Sequence, residues 1–85
     1  MGGSSPLTAI EKKILLFFQE HPHAIETVRG ISTWAGEPPE VARSALEVLV
    51  GKKWILTHET SAVTGYTLTG EEKLLIQIRD ILGIS

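Results

Sequence analysis

Apolar residues recur along the chain at intervals of three and four in several separate stretches, which is the spacing of amphipathic helices. The first predicted helix runs from Leu7 to His21, with Thr8 as its N-cap and Glu11 completing a capping box. Pro22 ends this helix, because the residue before a proline disfavours the α conformation. Its apolar face is unusually broad and comprises Ile10, Ile14, Leu15, Leu16, Phe17 and Phe18. A helix of this kind must be covered on more than one side.

The next two predicted helices follow closely. We expect a strand of one or two residues centred on Ala24 and Ile25. Thr27 is then the expected N-cap of a second helix, Val28 to Ala35, which Gly36 ends as the C′ residue. Its inner face is predicted to hold Val28, Ile31 and Trp34.

The third helix is expected to begin at Pro39, since proline is favoured at the first helical position. Small and aliphatic residues form its predicted buried face, namely Ala42, Ala45, Leu46, Leu49 and Val50. Gly51 is the expected left-handed residue of the turn that follows, because glycine adopts positive φ without steric cost.

Two β-rich runs around a glycine-containing loop predict a hairpin, with strands at Trp54–Glu59 and Tyr66–Leu68. Thr69 is the expected N-cap of the last helix, with Glu72 completing a second capping box. Gly83 is expected to end that helix. The pattern as a whole predicts a mainly α fold with a small β-hairpin, of the α+β class.

Composition indicates one small globular domain. The 85 residues are 42% hydrophobic and 21% charged, with no cysteine, so neither a disulfide nor a thiolate metal site can assist folding. We expect residues 1–6 to be a flexible N-terminus and residues 7–85 to form the domain. The start lacks the basic and apolar regions of a signal peptide, and no apolar run is long enough to span a membrane. A cytoplasmic protein without a membrane role is therefore expected.

The order of elements resembles the winged helix-turn-helix family. Pro39-Glu40, followed by Ala42, Ala45, Leu46, Leu49, Trp54 and Ile55, resembles the family's third helix and its exit into the hairpin, called the wing. Tyr66 to Thr69 resembles the tyrosine-x-leucine-threonine signature between the wing and the last helix. The resemblance covers Thr8 to Thr69 and implies a three-helix core, a two- to three-stranded wing and a C-terminal helix. Lys53 is a departure, because the family usually has glycine there.

Many members of this family bind duplex DNA with the third helix in the major groove, so the resemblance implies a DNA-binding, transcription-regulator-like domain. The residues carried over are Arg43 and Ser44 for bases, and Arg29, Lys52 and Lys53 for phosphates. The charge pattern argues against strong binding: the formal net charge is −2, and the predicted wing, His58 to Gly65, has no Lys or Arg. An alternative is that the outer face of the third helix is merely solvated, with Arg43 paired to Glu47.

A second hypothesis is a protein-interaction or docking module of a larger complex, without direct DNA binding. Seven aliphatic residues lie between Leu74 and Ile84, more than a single core stripe needs. We predict a homodimer through the last helix, with an interface formed by Leu74, Leu75, Ile78, Ile81 and Leu82. The alternative is that this surplus packs on the first helix within one chain.

Catalysis is the weakest hypothesis. His21, His23 and His58 with Glu20 or Glu26 could supply metal ligands, but a His-x-His pair around a helix-ending proline is a weak signal. The sequence shows no Gly-rich phosphate loop, nucleophile–base pair or paired carboxylates. We therefore predict no enzyme activity, no metal and no cofactor, and we expect both Trp34 and Trp54 to lie in the core.

Overall fold

The computed structural model describes residues 7–83. Four helices and one antiparallel hairpin lie in this range, in the order α1 (Ala9–Glu20), α2 (Val28–Ala35), α3 (Pro39–Gly51), β1 (Ile55–Glu59), β2 (Thr64–Leu68) and α4 (Glu72–Leu82). The predicted α+β class is confirmed. The predicted flexible N-terminus, residues 1–6, and Ile84 lie outside the described residues. Within residues 7–83, no helix combines the length and the apolar character needed to cross a membrane.

Local capping explains the beginning of α1. The Glu11 backbone N–H donates to Thr8 Oγ1 at 3.2 Å, and the Thr8 N–H donates to Glu11 Oε1 at 3.1 Å. These two bonds are the predicted capping box, and they satisfy two amides that a helix start leaves without partners. Ile14, Leu15 and Phe18 are fully buried, so α1 lies in the middle of the core as its broad apolar face requires.

The predicted boundaries of α2 and the predicted start of α3 are also confirmed. Thr27 Oγ1 accepts from the Gly30 N–H at 3.0 Å, and Gly36 ends α2 in the left-handed conformation with φ 71°. Proline occupies both the N-cap and the first position of α3. The face of α3 toward α1 and α2 buries Ala42, Ala45, Leu46 and Leu49.

The turn after α3 differs from the prediction. Gly51 is the last helical residue, and the left-handed residue is Lys53, with φ 66°. The Lys53 N–H donates to Val50 O at 2.9 Å and the Trp54 N–H donates to Leu49 O at 3.2 Å, so the turn forms two residues later than expected. Lys53 is the position where the resemblance anticipated glycine, and its backbone retains the glycine-like conformation.

The hairpin covers one side of the helices. β1 pairs antiparallel with β2, with Ile55 opposite Leu68 and Thr57 opposite Tyr66. Ile55, Tyr66 and Leu68 are buried in the core. The predicted extra strand at Ala24 and Ile25 is reduced to a single bridge one residue later, between Glu26 and Tyr66. The wing is therefore a two-stranded sheet held on one side by an isolated bridge.

The start of α4 also differs from the prediction. Its N-cap is Glu71, which makes no side-chain capping bond, so the predicted Thr69–Glu72 capping box is wrong. Thr69 instead extends the hairpin, because its N–H donates to Trp54 O at 2.9 Å. Its hydroxyl accepts from the Glu71 N–H at 3.1 Å and so stabilises the turn before the helix. Gly83 ends α4 as predicted, with φ 76°.

The two tryptophans have different environments. Trp54 is 6% exposed, and its Nε1–H donates to Gln77 Oε1 at 3.4 Å, which confirms its predicted core position. Trp34 is 38% exposed, so its predicted core position is wrong. It lies in the last turn of the short α2 and stacks on Phe17 of α1, with ring centroids 4.7 Å apart.

Candidate nucleic-acid interface

Two arginines from different helices lie beside the wing. Arg29 is in the first turn of α2, and Arg43 is at the edge of the exposed face of α3, about 100° around the helix from the buried Ala42. Both side chains are exposed. They line one depression of about 470 Å³ between α2, α3 and the start of β2. The full lining comprises Thr27, Val28, Arg29, Arg43, Glu47, Val63, Thr64 and Tyr66.

Backbone pairing fixes the wing against the start of α2. The Glu26 N–H donates to Tyr66 O at 2.9 Å, and the Tyr66 N–H donates to Glu26 O at 2.7 Å. Ile25 lies directly over Gly65, where an added Cβ would meet Ile25 Cγ2 at 2.6 Å. The side of the depression formed by the wing is thus set by backbone hydrogen bonds and a close apolar contact.

The tip of the wing is ordered by one threonine. Thr60 Oγ1 accepts from the Ala62 and Val63 N–H groups and donates to Val63 O at 3.0 Å. The Thr60 N–H also donates to Val63 O at 2.9 Å. Val63 is 54% exposed at this tip. The wing therefore presents a compact, uncharged end to solvent, in keeping with its lack of Lys and Arg.

Ser44 faces a different part of the surface from Arg43. It lines a shallow depression of about 360 Å³ between α3 and the start of α1, together with Glu40, Val41 and Val48. Because neighbouring helical residues project about 100° apart, Ser44 projects from the middle of the exposed face of α3, and Arg43 projects from the edge of that face beside the wing. A groove that receives this face would contact both.

Lys52 and Lys53 lie at the far end of α3 from Glu40. At a rise of 1.5 Å per residue, Lys52 is about 13 Å along the helix axis from Arg43. Lys52 Nζ lies over the Trp54 ring, 5.4 Å from its centroid, and Lys53 lines a separate depression beside β1 and Gly70. The five residues predicted to bind DNA thus divide into an Arg29–Arg43 pair, Ser44 on the adjoining face, and a distant lysine pair.

The predicted interface on α4 is only partly available to a partner. Ile78 is fully buried, so it belongs to the core of one chain. The other four residues are half-buried against that core, and they are Leu74, Leu75, Ile81 and Leu82. Ile76, which was not among the predicted interface residues, is 56% exposed. The surplus of aliphatic residues is therefore divided between intramolecular packing and an exposed position.

The histidines do not assemble a metal site. Among residues 7–83, no group of three His, Cys, Asp or Glu side chains lies close enough together to hold an ion.

A separate cavity of about 480 Å³ lies between the end of α1, β2 and α4. Gln19, His23 and Arg79 are among its polar lining residues.

The sequence alone does not predict that Val63 is part of the site. Hydrophobic periodicity shows that Arg43 points outward, but it carries no information on which loop residue lies across from it. That placement depends on the bridge between Glu26 and Tyr66, which joins parts of the chain far apart in sequence.

The chain has the winged helix-turn-helix fold, as comparisons with solved structures show. It superposes on YusO from Bacillus subtilis with a TM-score of 0.75 at 17% identity, covering 93% of this chain and 55% of YusO. A MarR family protein from Bacillus stearothermophilus gives a TM-score of 0.70 at 15% identity, with coverage of 92% and 53%. The transcriptional regulator BldR from Sulfolobus solfataricus gives 0.69 at 14% identity, with coverage of 91% and 56%.

The chain thus spans slightly more than half the length of each of these structures. No protein-family model matches the sequence, and comparison with curated protein sequences finds no match. At identities of 14–17%, the likeness to these structures establishes the fold alone.

Proposed function

We propose that this chain is the DNA-binding domain of a transcription regulator. The observation that carries the proposal is the joint position of Arg29 and Arg43 in one depression between α3 and the wing. In the helix-turn-helix arrangement, the third helix enters the major groove, where an arginine can reach guanine. Arg43 is then the base-reading residue, and Arg29 contacts a phosphate at the edge of the same groove. The fold likeness to BldR and the MarR family protein supports this assignment.

The charge of the surface predicts modest affinity. Between Ile25 and Thr69 there are four basic residues against five acidic ones, and the wing tip offers hydroxyls instead of cations. Each phosphate contact contributes about −0.9 to the slope of log K against log salt concentration. From about 50 to 200 mM salt, one contact by Arg29 lowers affinity roughly 3-fold, and three contacts including Lys52 and Lys53 lower it roughly 40-fold. The salt slope therefore measures how many of the predicted phosphate contacts form.

The experiment is an NMR titration of the ¹⁵N-labelled domain with mixed-sequence duplex DNA at these two salt concentrations. We expect salt-sensitive shifts at Arg29, Arg43 and Ser44. Arg43→Ala should weaken binding, while Arg79→Ala, which removes the same charge from exposed α4, should leave the mapped surface unchanged. Absence of shifts in the parent at low salt would contradict the proposal and favour a docking module that acts through protein contacts alone.

We further propose that the domain self-associates through α4. Ile76 is the most exposed aliphatic residue of that helix. Its neighbours one turn away are the exposed Glu72, Lys73, Arg79 and Asp80, and the half-buried Leu75 lies at the side of this face. Burial of such a side chain at an interface stabilises by up to about 1.5–3 kcal/mol. The functional consequence is that two copies of a weak DNA-contact surface act together.

The test of self-association is the solution mass by light scattering. We expect the parent to have twice the 9.3 kDa of one chain and Ile76→Asp to shift it toward the monomer. Leu16→Asp is the matched control, because Leu16 is an exposed aliphatic residue on α1. A parent that stays at 9.3 kDa across all concentrations would rule out the dimer.

A further inference from the structure

The exposed face of α3 presents a carboxylate one turn after its only arginine. Arg43 and Glu47 are four residues apart, both are exposed, and both line the depression beside the wing. At 1.5 Å per residue, they are about 6 Å apart along the helix axis. Base pairs in B-DNA are stacked about 3.4 Å apart, so this separation corresponds to roughly two base-pair steps.

Both side chains are available for a ligand. Charged residues at this spacing can pair with each other on a helix surface. In the described range of residues 7–83, however, neither Arg43 nor Glu47 forms an ion pair or a side-chain hydrogen bond. The pairing of Arg43 with Glu47 that their spacing allows is therefore not formed in this geometry.

A carboxylate in the major groove is selective because it can only accept hydrogen bonds. The phosphates repel it, and so do the acceptor atoms N7 and O6 of guanine and O4 of thymine. Among base edges, the cytosine N4 amino group is the donor that carboxylates recognise. The adenine N6 donor lies beside the N7 acceptor, an arrangement that suits the amide of Asn or Gln. Arg43, conversely, suits the two acceptors of guanine.

We propose that Glu47 is a specificity-determining residue that selects cytosine, about two base-pair steps from a guanine read by Arg43. This inference rests on the proposed DNA-binding function. It implies that the DNA sequences bound by the domain contain two G·C pairs at that spacing. Glu47 acts mainly by excluding sequences without a suitably placed cytosine, since its charge is repelled wherever that donor is missing. One such contact discriminates by about 5- to 150-fold.

The test begins with selection from randomised duplex DNA at about 50 mM salt, followed by affinity measurements on the selected duplex. Replacing the cytosine pair read by Glu47 with an A·T pair should weaken binding of the parent by about 5- to 150-fold. Glu47→Gln should lose this discrimination or prefer adenine, because the glutamine amide matches adenine N6 and N7.

Glu72→Gln is the matched control, since it removes the same charge from an exposed position in the first turn of α4. It should leave the base preference unchanged, whereas Glu47→Gln should alter it. If the parent and Glu47→Gln bind with the same preference, or if selection yields sites without G·C pairs, the inference is overturned while DNA binding stands. If no duplex binds at low salt, both the inference and the proposed function fail.

Discussion

Gly65 in β2 offers a sharp test of how the wing is attached to the rest of the domain. An added Cβ at this position would lie 2.6 Å from Ile25 Cγ2, and 3.5 Å from His58 O, which is an ordinary contact. Gly65 does not require positive φ, so alanine is excluded there by the neighbouring isoleucine alone. Gly65→Ala should therefore destabilise the domain through one identifiable methyl group.

The structure sets the size of the effect. Ile25 Cγ2 must retreat by about 0.8 Å to reach the 3.4 Å of an ordinary contact. Although Ile25 is 59% exposed, its Cγ2 is a branch on Cβ and moves only by rotation about χ1 or by a backbone shift, and the backbone of Glu26 is held by its bridge to Tyr66. Such overpacking costs about 1–3 kcal/mol, and the lower chain entropy of alanine in the unfolded state returns about 0.4–1 kcal/mol. The net expected loss is about 1–2 kcal/mol.

The assay is urea unfolding followed by circular dichroism, in a double-mutant cycle. With a slope of about 1–3 kcal/mol per molar urea, Gly65→Ala should lower the midpoint by roughly 1 M. In an Ile25→Ala background, which removes Cγ2, the same change should be neutral or slightly stabilising. Ile25→Val is the matched control, because valine keeps the γ carbon and should not rescue. An equal cost of Gly65→Ala in the parent and Ile25→Ala backgrounds would refute the reasoning.

Three other predictions concern stability and tryptophan exposure. Thr8→Ala removes the hydroxyl that caps α1 at Glu11 and should cost about 1 kcal/mol in urea unfolding; no loss would mean that water replaces the cap. Lys53→Gly relieves a left-handed residue and should stabilise by about 0.5–1 kcal/mol, whereas Lys53→Ala, which keeps the strain, should not. Acrylamide should quench the fluorescence of Trp34 in a Trp54→Phe variant more strongly than that of Trp54 in a Trp34→Phe variant. Equal quenching would contradict the different burial of the two rings.

The sequence predicts features of the fold that depend on neighbouring residues. The capping box at Thr8 and the proline at the start of α3 act within one helical turn, so their residue types locate the helix starts. The left-handed turn residue is Lys53 and not the predicted Gly51, because its position depends on how far α3 continues before Trp54 enters the core. Trp34 and Trp54 are chemically identical, and their different burial depends on tertiary packing, of Trp34 beside Phe17 of α1 and of Trp54 beside Gln77 of α4.

The same distinction applies to the candidate site. The outward direction of Arg43 follows from the helical period of the buried residues around it. Its proximity to Arg29 and Val63 does not, because these residues meet only when α2, α3 and the wing have packed. The wrong Thr69 capping box has a related cause: the backbone of Thr69 is already bonded to Trp54 in the hairpin, so α4 begins later.

The bridge between Glu26 and Tyr66 also has a dynamic consequence. A two-stranded hairpin alone is marginally stable in water, so this wing depends on its buried residues in the core and on its reciprocal bonds to the segment before α2. Opening the wing breaks those bonds and frees the residue beside the Thr27 cap, which makes the two regions one cooperative unit in amide hydrogen exchange. A molecule that binds only the tip at Val63 would therefore slow exchange at Glu26 and in the first turn of α2, well away from the atoms it touches.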